Sequence, residues 1–107
     1  MIQITMQNNI LKVKGHSMSA ESGRDIICSA ASMLTYTLAQ SMSNMYTQNW
    51  LKKKPTINLE EGNAEVIVKP KKEYEKEVKF AFDIIATGFQ LLSATYPQYV
   101  EFSWNEE

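Results

Sequence analysis

The residues of this chain best suited to chemistry lie in one segment, 15–32, GHSMSAESGRDIICSAAS. It carries the single histidine, His16, and, twelve positions later, the single cysteine, Cys28. A cysteine sulfur attacks a carbonyl as the thiolate. An imidazole within reach takes the thiol proton and later returns it to the leaving amine. Cys28 falls where a small, polar stretch gives way to an apolar helical pattern, so it sits near a helix start. Unsatisfied amides and the positive end of the helix dipole favour an anion there. The same amides could hold the oxyanion of a tetrahedral intermediate. If the two side chains meet, the chemistry open to them is nucleophilic attack on a carbonyl by a Cys-His pair.

Asp25, Cys28 and Ser32 follow at i, i+3 and i+7, which stacks them on one helix face. A carboxylate beside the sulfur would oppose its ionisation. Two other roles for Asp25 are open on the residues alone: orienting His16, or capping the helix. Ser32, one turn deeper, is either a hydrogen-bond donor toward the site or a small packing residue. Simpler readings stand beside the enzymatic one. A lone cysteine on a helix is more often an inert, buried side chain, and a lone histidine after a strand is commonly a surface residue. Spacing alone does not bring the two side chains together.

The elements that must position these residues follow from periodicity. Ile2, Ile4 and Met6 alternate with polar residues as a half-buried strand, Asn8-Asn9 turns the chain, and Ile10 to Lys14 returns with Leu11 and Val13 on one face. This hairpin ends at Gly15-His16. Residues 17–23, SMSAESG, have loop composition. A helix is expected from about Arg24-Asp25 to about Tyr46, with Ile27, Ala31, Leu34, Leu38, Met42 and Met45 as its core stripe. Residues 47–62 read as the longest irregular stretch, with a short edge strand at Ile57 and Leu59 and a turn at Glu61-Gly62-Asn63. Ala64, Val66 and Val68 alternate in a further strand that Pro70 stops. A second helix is expected from about Glu73 to Thr95 on the stripe Val78, Phe82, Ile85, Phe89 and Leu92. Gly88 inside it costs helix propensity unless close packing needs it. Val100, Phe102 and Trp104 form the last strand. The order ββ-α-ββ-α-β predicts an α+β two-layer sandwich, two long helices on one face of a mostly antiparallel sheet, with residues 1–107 as one domain.

Composition narrows the function classes. A 44% hydrophobic, 21% charged chain of 107 residues folds around one core. The formal net charge of −1 provides no global attraction to nucleic acid or an anionic membrane. Lys52-Lys53-Lys54 and Lys69-Pro70-Lys71-Lys72 are basic, but Glu60, Glu61, Glu73, Glu75 and Glu77 lie nearby in sequence, so mixed, solvated surface is the simpler reading. One thiol makes no internal disulfide. One His and one Cys fall short of a zinc site, and no phosphate-binding glycine loop is present, so no metal or cofactor is expected. No apolar run spans a bilayer, and the N-terminal MIQITMQNN lacks secretory-signal features, so a cytoplasmic protein is expected. Met33, Tyr36, Met45 and Tyr46 on the first helix suit a dimer surface, an aromatic-substrate groove or the core.

Segment 15–32 resembles the ribosomal-processing cysteine protease family, Prp. The family has Gly-His after a strand, a flexible loop, then Asp-Ile-(Val or Ile)-Cys-(Ala or Ser)-Ala at a helix start followed by Ser. Gly15, His16, Ala20, Glu21, Gly23, Asp25, Ile26, Ile27, Cys28, Ser29, Ala30 and Ser32 match it, with the His-to-Cys spacing ungapped. The resemblance implies a two-layer homodimer and a catalytic dyad of Cys28 and His16. Gly15, Asp25 and Ser32 would be supporting positions, and the loop Ser17, Met18, Ser19, Ala20, Glu21, Ser22 and Gly23 would order over substrate. It further implies removal of a short N-terminal extension from large-subunit ribosomal protein twenty-seven. Phage relatives are associated with capsid or scaffold proteins instead.

The chain departs from the family pattern at Ser17, Met18 and Ser19, where Ala-Gly-Tyr or similar is usual, and at Ser22, where Tyr is usual. These differences bear on substrate more than on chemistry. A phage-type substrate and a non-enzymatic ribosome-associated binding module are the alternatives to a ribosomal protease.

Overall fold

A computed structural model describes residues 1–16 and 25–105; the expected substrate loop, 17–23, lies outside the described residues. Strands β1 (Ile2–Gln7) and β2 (Ile10–Gly15) form the first hairpin, turned at Asn8 with φ 53°. Helix α1 (Ile26–Thr47) leads to β3 (Thr56–Glu60) and β4 (Asn63–Ile67). A short 3-10 turn, Lys72–Tyr74, precedes helix α2 (Glu75–Thr95), and β5 (Val100–Asn105) closes the fold. The expected order ββ-α-ββ-α-β is the observed one.

The sheet order is β3-β4-β2-β1-β5. All neighbouring pairs are antiparallel except β1 and β5, which run parallel with Ile2 opposite Val100, Ile4 opposite Phe102 and Met6 opposite Trp104. Side chains alternate across a strand, so this register puts Ile2, Ile4, Met6, Leu11, Val66 and Val100 on one buried face. Gln3, Thr5, Lys12, Lys14, Glu101 and Ser103 are exposed and take the other face by the same alternation. One apolar face needs one covering layer, and α1 and α2 supply it, packed against each other as well.

The expected helix stripes hold with small corrections. Ile27, Ala31, Leu38 and Met42 are buried, whereas Leu34 and Met45 are half-buried and pack against the core. Met45 is therefore not an exposed surface residue, while Met33, Tyr36 and Tyr46 are exposed. Thr35 and Ala39 complete the buried face; the Thr35 hydroxyl donates to the Ala31 carbonyl at 2.8 Å, which lets a polar residue occupy a core position. In α2, Val78, Phe82, Ile85, Phe89 and Leu92 are all buried. A Cβ built at Gly88 would stand 2.6 Å from Cδ2 of Leu34. That is the close packing which offsets the propensity cost of a mid-helix glycine.

The stretch read as irregular contains β3, an edge strand of five residues including Ile57 and Leu59. This is the short edge strand expected at Ile57 and Leu59, extended by one residue at each end. At its N-terminal side the indole of Trp50 stacks on the Tyr74 ring at 4.7 Å, and Leu51 bridges to Pro70.

Candidate active site

The site lies at the end of the sheet where β2 stops, the β3–β4 hairpin turns and α1 begins. β2 ends at Gly15 with φ 91°, in the left-handed region that favours glycine; a Cβ there would also run into the carbonyl of Met1. The Gly15 amide donates to the Gly62 carbonyl at 2.9 Å. Gly62, with φ 77°, is in the β3–β4 turn, and the pairing of Lys14 with Asn63 brings that turn beside Gly15. His16 leaves the sheet at this junction. Its carbonyl accepts from the Met1 amino group at 2.6 Å, and its ring lies against Gly62: a Cβ there would stand 2.8 Å from Nε2 and 3.2 Å from Cε1.

Helix α1 presents Cys28 as its third residue. Asp25 is the N-cap, with extended backbone, and its Oδ1 accepts from the amides of Ile27 at 2.9 Å and Cys28 at 3.1 Å. The structure thus gives Asp25 the capping role. It also changes the expectation for the oxyanion: the Ile27 and Cys28 amides are engaged by a carboxylate and are not open donors. Ile27 points into the core, which fixes the rotation of the first turn, and Cys28 is half-buried against the same core.

Both predicted chemical residues line one cleft of about 360 Å³, together with Gly15, Ser32, Thr35 and Tyr36. Its far wall is the hairpin Leu59, Glu60, Glu61, Gly62, Asn63 and Ala64. Ser32 follows Cys28 by one turn and lines the same surface, as the i, i+4 relation requires. Asp25 sits at the head of the helix, behind its first amides. His16 is exposed, and Cys28 and Ser32 are half-buried. Among the described residues, no group of His, Cys, Asp and Glu is placed to hold a metal ion. No described helix is long and apolar enough to cross a membrane.

Sequence reasoning did not connect the β3–β4 hairpin with this site. Glu61-Gly62-Asn63 was legible as a turn, but its approach to His16 depends on the β2–β4 pairing, which no local pattern specifies. Tyr36, a groove candidate from its sequence position, lines the cleft, and so does Thr35, which carries no such signal in the sequence.

The family model described as cysteine protease Prp matches residues 1–101. The ribosomal processing cysteine protease Prp of Mycoplasma genitalium is 29% identical over 103 residues, covering 94% of this chain and 92% of that protein. The fold is similar to that of the essential ribosomal processing protease Prp from S. aureus with a covalently linked product peptide (TM-score 0.77, 17% identity, 98% of this chain and 100% of that one). It is similar also to the same S. aureus protease with a substrate peptide (TM-score 0.70, 16% identity, again 98% and 100%). The match runs through both hairpins, both helices and the start of β5, and so takes in every wall of the cleft: the chain belongs to the Prp family of ribosomal-processing cysteine proteases.

Proposed function

We propose that this chain is an endopeptidase whose nucleophile is Cys28 and whose acid–base group is His16, and that it removes a short N-terminal extension from large-subunit ribosomal protein twenty-seven. The observation that carries the dyad is that the single cysteine and the single histidine line one open cleft. The Cys28 thiolate attacks the scissile carbonyl carbon. The tetrahedral intermediate collapses as His16, holding the thiol proton, donates it to the leaving amine. Water then attacks the thioester carbonyl with His16 as base, releasing the new carboxylate and restoring the thiol.

The substrate reading rests on family membership and on the ribosomal processing named for the Mycoplasma relative. Ser17, Met18, Ser19 and Ser22 depart from the family pattern, which favours a phage capsid or scaffold substrate as the second reading. Incubation with synthetic N-terminal peptides of both kinds, read by mass spectrometry, separates them: cleavage of the ribosomal peptide alone supports the first reading, and cleavage of the capsid peptide alone replaces it. The proposed setting is the cytoplasm, and nucleic acid is not required for turnover. The proposed state is a homodimer. Exposed apolar side chains on both helices, Met33 and Tyr46 on α1 and Phe80, Ile84 and Leu91 on α2, support it, and sedimentation velocity tests it.

A further inference from the structure

The contact between His16 and Gly62 carries an inference beyond the dyad. It rests on the reading of His16 as the acid–base group. We infer that Gly62 is a positioning residue: the β3–β4 turn is the seat that sets the orientation of the His16 imidazole, and it works only because position 62 lacks a side chain.

Three observations converge on this seat. The ring edge bearing Nε2 and Cε1 occupies the space a Cβ would take, at 2.8 and 3.2 Å. Real Cβ contacts are longer, so any other residue displaces the ring. The turn is itself fixed to the strand that carries His16, because the Gly62 carbonyl accepts from the Gly15 amide at 2.9 Å. The His16 main chain is held on its other side by the Met1 amino group. Backbone and ring therefore meet separate groups, and among the described residues the ring of this exposed residue lies against Gly62. An exposed imidazole without such a support samples several staggered states, and only some of these address the cleft. The hairpin shares the cleft with Cys28, so its tip both bounds the substrate space and aims the base.

Gly62→Asn tests this. Asn tolerates the left-handed backbone better than most residues, so the turn persists while a Cβ enters the ring's space. The probe is iodoacetamide on the full chain at pH 6, with the alkylation rate of Cys28 as readout, in the wild type, Gly62→Asn, His16→Ala and the double variant. The expected result is a fall of about tenfold to a hundredfold in Gly62→Asn, the order of cost of misplacing a reacting group by about 1 Å. Its thermal midpoint should stay near that of the wild type, and no further fall should appear when the substitution is added to His16→Ala. A wild-type rate in Gly62→Asn, with His16→Ala slowed, overturns the seat and leaves the dyad standing. Unchanged rates in both single variants overturn both. A fall of equal size in the His16→Ala background also overturns the seat. A measurement on the wild type is independent of any folding defect: nuclear Overhauser contacts between the His16 ring protons and the Gly62 Hα protons are expected, and their absence overturns the inference.

Discussion

The carboxylate of Asp25 accepts the amide hydrogen of Cys28 at 3.1 Å, so the residue that begins the helix is tied directly to the residue proposed as nucleophile. The same oxygen takes the Ile27 amide, and Ile27 is anchored in the core. The cap therefore fixes the turn from which the sulfur projects.

Asp25→Ala should lower the unfolding free energy by about 1 kcal/mol, the usual value of an N-cap. Asp25→Asn retains an acceptor in the same place and should stay within a few tenths of a kcal/mol of the wild type, because Asn caps about as well as Asp. Urea denaturation of the three proteins compares them, and an Ala variant as stable as the wild type would contradict the cap.

His16→Ala should leave the fold intact, since the ring is exposed and outside the core. Its expected effect is on rate, a loss of about a hundredfold to ten-thousandfold, the range for removing a positioned acid–base group. Peptide cleavage kinetics beside a circular dichroism melt separate that loss from unfolding.

The α1–α2 contact gives a prediction about packing. Gly88 leaves room for Leu34, so Gly88→Val should cost about 1–3 kcal/mol through overpacking. Leu34→Ala should recover part of that loss when combined with it, because the methyl groups in conflict are then gone. A double-mutant cycle by thermal denaturation measures the coupling.

Much of the architecture was legible because its signals are local. The α2 stripe at steps of three and four and the alternation of Ile2, Ile4 and Met6 are periodicities that a short window contains. Gly88 is legible as a mid-helix glycine that costs propensity unless close packing needs it, but the residue it packs against, Leu34, lies on the other helix and has no local signature. β3 was legible at Ile57 and Leu59, one residue short of the strand at each end. In the site, His16 and Cys28 stood out by being single in the chain and by their spacing. The capping role of Asp25 remained one of two alternatives until the helix start was fixed at Ile26. Gly62 was legible as a turn and not as part of the site, since its place under the imidazole is set by pairing between strands nearly fifty residues apart in sequence.

The most direct test of the central claim is the cleavage of a ribosomal-protein N-terminal peptide by the wild type and by Cys28→Ala, both confirmed as folded, with products identified by mass spectrometry. Cys28→Ala changes a half-buried side chain by one sulfur atom and leaves the Asp25 cap in place, so it should fold and yield no cleaved product while the wild type cuts at one bond. Turnover by Cys28→Ala at the wild-type rate would contradict the assignment of Cys28 as nucleophile.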